Sequence, residues 1–200
     1  MMFRRGFLAG AAALALATPA SAQQLSLAEI SNYLNRLQTA EGGFTQINGD
    51  GTLSTGQIYI KRPGRIRFEY NPPDDSLVMA GGGQVAIFDP RSNVPPERFP
   101  LNQTPLNIIL EQNVDLTRTN MVTGHTSDGT TTTVRAQDPD NPQLGNIQLV
   151  FTADPIELRQ WIVTDDIGAE TTVILNDFES GGAIGDIQFN ILNEMNKRGF

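Results

Sequence analysis

In an otherwise acidic chain, Lys61, Arg62, Arg65 and Arg67 fall within seven positions. A guanidinium presents a planar fork of donors suited to carbonyl or acidic oxygens, and it stays charged where a lysine readily shifts. The residues alone leave two readings open: a solvated strand face beside a turn, or an anchoring point next to an apolar surface. Other chemistry is sparse. His125 is the single histidine and there is no cysteine. A Ser-His-Asp arrangement would have to use His125, which is followed by loop-like Thr126-Ser127-Asp128-Gly129, and a zinc site would lack its usual ligand set. His125 is therefore expected to be an ordinary strand-end residue. Gly81-Gly82-Gly83 has no following Lys-Ser/Thr, so it reads as a tight strand connection and not a phosphate loop. Asp138, Asp140 and Asn141 are interrupted by Pro139 and Pro142, which breaks any calcium-loop pattern. No catalytic residue, metal or cofactor is assigned, and the chain does not read as an enzyme.

The elements that would position the basic cluster are mostly strands. Ser26 and Glu29 form a capping box, and Leu27, Ile30, Leu34 and Leu37 follow at helical spacing, predicting an amphipathic helix over about 27–39 that ends at Gly42-Gly43. Strands are expected at 44–47, 53–61, 64–70, 76–80 and 84–88, the first two joined by the turn Asn48-Gly49-Asp50-Gly51. In 64–70, Ile66, Phe68 and Tyr70 share one face while Arg65, Arg67 and Glu69 share the other, the period of a half-buried strand. The stretch 89–103 reads as a long proline-containing loop. Thr104 and Pro105 then open a short apolar helix carrying Leu106, Ile108, Ile109 and Leu110 and stopping near Gln112. Further strands are expected at about 117–125, 130–136, 145–153, 156–164 and 170–177, with a last one at 187–191. Connections this short cannot hold the crossover helices of a parallel sheet. The fold class is thus α+β: about ten to eleven antiparallel strands in one curved sheet, whose concave face is covered by the two apolar helices and the proline-rich loop. Candidates for that face are Ile58, Ile60, Ile66, Phe68, Tyr70, Val85, Ile87, Leu149, Phe151 and Trp161. Alternation alone does not distinguish a cavity from a filled core.

The first residues point to export. Arg4-Arg5, an apolar run from Phe7 to Ala17 and Ala20-Ser21-Ala22 have the order of a secretory signal peptide, predicting 1–22 as signal and 23–200 as one mature domain. Arg4-Arg5-Gly6-Phe7-Leu8 also fits the core of a twin-arginine signal, so both export routes are open. All 22 acidic residues lie in 23–200 while Arg4 and Arg5 leave with the signal, so the net charge moves from −8 to −10. That balance argues against nucleic acid or an anionic bilayer as the main partner. With no cysteine to lipidate or cross-link, the chain is expected free in the periplasm, with its stability resting on packing.

Residues 43–73, GFTQINGDGTLSTGQIYIKRPGRIRFEYNPP, resemble the outer-membrane lipoprotein carrier family, LolA. The matching features are Phe44-x-Gln46, the strand from Gly56 to Lys61-Arg62-Pro63, and Ile66-Arg67-Phe68-Glu69-Tyr70 before Pro72-Pro73. The order continues through the Gly-rich hairpin at 77–88 and the Thr104-Pro105-Leu106 helix. Beyond about residue 117 only the strand-rich texture matches. The resemblance implies an incomplete antiparallel β-barrel closed by a helical lid over an apolar cavity for lipoprotein acyl chains. It implies transfer from an inner-membrane ABC-type releasing complex to an outer-membrane lipoprotein acceptor, with the carrier itself a monomer. Arg62 matches the arginine that holds the lid, and Ile66 and Phe68 match positions at the cavity mouth. Ile58, Ile60, Tyr70, Leu106, Leu110 and Phe151 complete the expected acyl-binding set. The chain departs from the family in carrying Phe68 and Tyr70 where Trp is common, and in lacking a clear extra strand over Asn190–Phe200. A periplasmic binding protein or sensor for another apolar ligand is the alternative on the same fold.

Overall fold

The computed structural model describes residues 23–200; the expected signal peptide lies outside them. Eleven antiparallel strands form one sheet: β1 (Thr39–Ile47), β2 (Leu53–Lys61), β3 (Arg65–Tyr70), β4 (Leu77–Gly81), β5 (Gln84–Phe88), β6 (Glu97–Pro100), β7 (Val122–Ser127), β8 (Thr131–Ala136), β9 (Asn146–Ala153), β10 (Ile156–Thr164) and β11 (Glu170–Ser180). Their spatial order is β6-β5-β4-β3-β2-β1-β11-β10-β9-β8-β7. Each strand pairs with its sequence neighbour except at two places. β1 pairs with β11, which joins the two halves, and β6 and β7 are the free edges. The connection from β6 to β7 therefore runs from one edge of the sheet to the other. This is an incomplete barrel, and that connection supplies half of its lid.

Alternation decides what each face carries. In β2, β3 and β9 the buried apolar side chains are Ile58 and Ile60, Ile66 and Phe68, and Ile147, Leu149 and Phe151. With Phe44, Trp161, Val173 and Leu175 they form one buried inner cluster, which is completed by Ile30 and Leu34 of α1 (Leu27–Arg36) and by Ile108, Ile109, Leu110, Val114 and Leu116. No helix among the described residues is long and apolar enough to cross a membrane.

Several sequence expectations are corrected. The first helix stops at Arg36, and Gly42-Gly43 lie inside β1. There the ladder shifts register against β11, and a methyl on Gly42 would sit 2.8 Å from the carbonyl oxygens of Asn176 and Asp177. Gly42 serves strand packing, and neither glycine terminates the helix. The 89–103 loop contains β6, an edge strand that tolerates Pro100 because one side of it needs no ladder donor. A 3-10 turn follows at Leu101–Gln103, and Thr104 closes it by donating its hydroxyl to Leu101 O at 2.9 Å. With Thr104 engaged there, α2 is a single turn, Asn107–Leu110, with no side-chain cap. His125 lies within β7, and its Nε2 is 2.7 Å from Leu25 O.

The largest correction is at the C-terminus. The expected strand at 187–191 is a 3-10 turn, Asp186–Phe189, followed by α3 (Ile191–Lys197). Ile187, Phe189 and Ile191 mimic a period of 2. However, Asn190 caps the next segment by accepting from Asn193 N at 2.9 Å, and Ile191 and Met195, one helical turn apart, share a face. That face packs on Leu77, Met79, Ala86 and Phe88, the outer side of β4 and β5. Phe189 passes so close over Gly81 that a methyl there would overlap its carbonyl oxygen. Arg198 stacks over Phe88 with its guanidinium carbon 5.0 Å from the ring centroid.

This packing can be tested at two residues. Gly81→Ala should detach the C-terminal segment and leave the barrel folded, seen as fast amide exchange confined to about 184–200. Burial alone would raise the Glu194 carboxyl, but the Arg198 hydrogen bond and the charges of Arg67, Arg198 and Lys197 outweigh it and hold the carboxyl below its ordinary value. Its contribution is then complete above the unfolded-state value and lost as pH falls through the lowered folded value. Graded acidification should loosen this segment only below the ordinary glutamate range, and Glu194→Gln should weaken that dependence and leave only the smaller share of the exposed Asp186.

Candidate functional site

The basic cluster divides by strand geometry. Lys61, Arg65 and Arg67 sit on the outer face of β2 and β3. Lys61 and Arg65 reach Asp186 at 2.6 and 2.7 Å, while Arg67 reaches Glu69 at 2.6 Å and Glu194 at 3.4 Å. Lys61 also donates to Ile184 O at 2.7 Å. These three hold the C-terminal segment to the back of the sheet. Asp186 is largely exposed, so its pairs contribute little on their own.

Arg62 turns the other way. It follows the last residue of β2, is 4% exposed, and reaches over the inner cluster into the lid. Its guanidinium donates to Leu34 O of α1 and to Glu111 O just beyond α2, with a longer contact of 3.4 Å to Asn35 Oδ1. The backbone around it repeats the pattern: Arg62 N donates to Gln38 O and Gly64 N to Leu110 O, both at 2.8 Å. One turn between β2 and β3 thus grips both parts of the lid. Burial pushes the guanidinium below its usual value and the Glu111 charge offsets this in part, yet arginine stays cationic. Its Nε is buried without a partner. A hydrogen bond to a charged group contributes about 1.5–3 kcal/mol, and an unsatisfied buried donor costs about 1–3 kcal/mol. With two such bonds against one orphaned donor, the contact is favourable on balance, and the orphaned Nε lowers its net worth. Glu111 is half-buried; burial pushes its carboxyl up, and of its charged neighbours Arg118 and Arg62 oppose this shift while Asp138 adds to it.

The residues expected to bind acyl chains come together beneath this latch. Ile58, Ile60, Ile66, Phe68, Leu110 and Phe151 are all in the buried inner cluster, and Tyr70 and Leu106 pack against it half-buried. Phe44 is the hub of its aromatic centre: it meets Phe68 at 5.3 Å and Tyr70 at 5.1 Å, both edge-to-face, and Phe68 meets Trp161 at 6.3 Å. The Tyr70 hydroxyl donates to Gln46 at 2.7 Å, and burial together with the Asp74 charge pushes its pKa up to about 12. Val85, Leu149 and Trp161 also join the cluster, while Ile87 is half-buried outside it. The side chains contact one another across the concave face, so an apolar ligand would have to part them.

Sequence reasoning missed the polar ties that assemble the lid. Asn35 pairs with the backbone of Val114 on both sides, donating Nδ2–H to Val114 O at 2.9 Å and accepting from Val114 N at 2.8 Å. Ser31 accepts from Leu116 N at 3.0 Å, and Tyr33 OH accepts from Leu158 N of β10 at 3.1 Å. Ser31 and Asn35 lie four apart, one turn of one helix face, which is the single signal the sequence carried for them.

The comparisons agree with this architecture. Residues 35–192 match the family model described as outer membrane lipoprotein carrier protein LolA. An outer-membrane lipoprotein carrier protein from Pseudomonas putida is 26% identical over 192 residues, covering 88% of this chain and 89% of that one. One from Azotobacter vinelandii is 33% identical over 95 residues, 45% of each chain. Among solved structures, an outer membrane lipoprotein-sorting protein domain from Vibrio parahaemolyticus aligns with a TM-score of 0.52 at 8% identity, covering 82% of this chain and 94% of that one, a likeness of fold alone. A full-length sheet order, a lid crossing its open side and a family match over residues 35–192 converge: the chain belongs to the LolA family of outer-membrane lipoprotein carriers.

Proposed function

We propose that this chain is a periplasmic carrier that takes the acyl chains of lipoproteins between its lid and the apolar face of its sheet. It conveys them from an inner-membrane ABC-type releasing complex to an outer-membrane lipoprotein acceptor, acting as a monomer and without catalysis. The observation that carries this reading is the buried Arg62, which holds both parts of the lid over an otherwise apolar interior through backbone carbonyls. Acyl chains stay out of water because each methylene is worth about 0.8 kcal/mol, so a carrier must supply an apolar surface and then give it up. Ile58, Ile60, Ile66, Phe68, Tyr70, Leu106, Leu110 and Phe151 supply that surface. Contacts made only in the closed state stabilise it and lower net cargo affinity by their free energy.

Arg62→Leu removes the latch and adds apolar surface. It should load a synthetic triacylated lipopeptide readily and release it to acceptor about tenfold more slowly, since about 1.4 kcal/mol is tenfold. Unchanged release would sink the latch reading. In cells, depletion of the protein followed by membrane fractionation should leave lipoproteins in the inner membrane. Normal sorting would count against carriage and favour binding of another apolar ligand.

A further inference from the structure

The two parts of the lid are held very differently. α1 is pinned to the sheet at several points. Leu25, just before it, donates its N–H to Thr132 Oγ1 of β8 at 3.0 Å, and its carbonyl meets His125 Nε2 of β7 at 2.7 Å. Tyr33 accepts from β10, and its ring packs edge-on against Phe151 at 5.8 Å. At its end only Leu37 and Gln38 separate α1 from β1, and Gln38 O accepts from Arg62 N. The segment 104–116 has fewer ties. Beyond apolar contact, its polar ties to the sheet's turns are Arg62 to Glu111 O and Gly64 N to Leu110 O. Its remaining polar attachments are to α1 itself, through Asn35 with Val114 and Ser31 with Leu116.

We infer that α1 is a fixed wall of the interior and that 104–116 is the moving part of the lid, with Asn35 as a second latch from which it detaches. The inference rests on the carrier reading for its purpose and on the hydrogen bonds alone for its mechanics. The Asn35 carboxamide satisfies both backbone groups of Val114 as a neighbouring strand would. Opening breaks those two bonds and the Ser31 bond, and water replaces them at the exposed rim near Asn32, Asn113 and Thr117. Moving α1 instead would strip donors and acceptors from β7, β8 and β10, including the buried Leu25–Thr132 bond. Asn35 is a positioning residue: its side chain meets Val114 and Arg62, and it sets where the mobile segment closes.

The absence of native cysteine makes paired labelling simple. Nitroxides at exposed positions Asn32 on α1, Asn113 on the segment and Gln57 on the outer face of β2 give three distances. On loading the synthetic triacylated lipopeptide, Asn113–Gln57 and Asn113–Asn32 should lengthen by about 5 Å, about half the spacing of packed layers, while Asn32–Gln57 stays fixed. A lid moving as one plate, with Asn32–Gln57 lengthening and Asn32–Asn113 constant, overturns the inference, as does loading without any change. Failure of the lipopeptide to bind would instead refute the carrier reading. Amide exchange on the empty protein then decides the mechanics without cargo. Asn35→Ala should speed exchange at Val114 and Leu116 about tenfold and leave the amides of α1 unchanged. Equal acceleration in α1 would show that the two parts open together. Asn35→Asp keeps an acceptor for Val114 N–H but loses the donor to its carbonyl, and should fall between wild type and Ala.

Discussion

An antiparallel sheet that curves around an apolar face without closing on itself must cover that face with its own chain. Here the two free edges, β6 and β7, are consecutive in sequence. Their connection crosses the open side, and it carries Leu101, Ile108, Ile109, Leu110, Val114 and Leu116 into the buried cluster. The lid is thus a consequence of strand order before it is a matter of any particular side chain. Arg62 adds a single polar fastening at the place where the cover meets the rim, and it does so from a turn whose backbone already bonds to both halves.

The same turn separates two roles through the pleat. Even-numbered residues of β3 face inward and pack the aromatic centre, while Arg65 and Arg67 face outward and hold the C-terminal segment. A single basic cluster in sequence is therefore two devices in space, back to back across one strand. The outer device buries Leu77, Met79, Ala86 and Phe88, which lie on the face that a half-buried strand would otherwise leave to solvent. It packs on the outer side of β4 and β5 and leaves the interior to the inner cluster.

Much of the sheet was legible because its signal is local. β2, β5 and β10 have their expected bounds, since alternation and turn residues act over a few positions. The inner face was legible for the same reason, and Ile58, Ile60, Ile66, Phe68 and Phe151 meet as expected. What misled was context. Gly42-Gly43 looks like a helix stop, but Gly42 serves a close approach by β11, more than a hundred residues away. Thr104-Pro105 looks like a helix start, but the preceding turn takes Thr104 first. The C-terminal alternation is overridden by the Asn190 cap and by an apolar patch on distant strands. The ties of Asn35 and Ser31 left only their four-residue spacing to read, because their partners are backbone groups, which leave no mark on residue type.

That dependence on backbone partners has a functional logic. A carboxylate facing Arg62 would form a buried ion pair, and breaking such a pair costs about 3–5 kcal/mol because a charge is left uncompensated. Cargo would have to repay that cost at every opening. Carbonyl acceptors leave no uncompensated carboxylate behind, and the orphaned Nε means that the closed arrangement does not satisfy every donor of the guanidinium. The carboxamide of Asn35 follows the same rule, being neutral and able to exchange its two bonds for water at the rim. A lid fastened by neutral acceptors can therefore close over an empty interior and still yield to an apolar ligand whose burial outweighs the bonds given up.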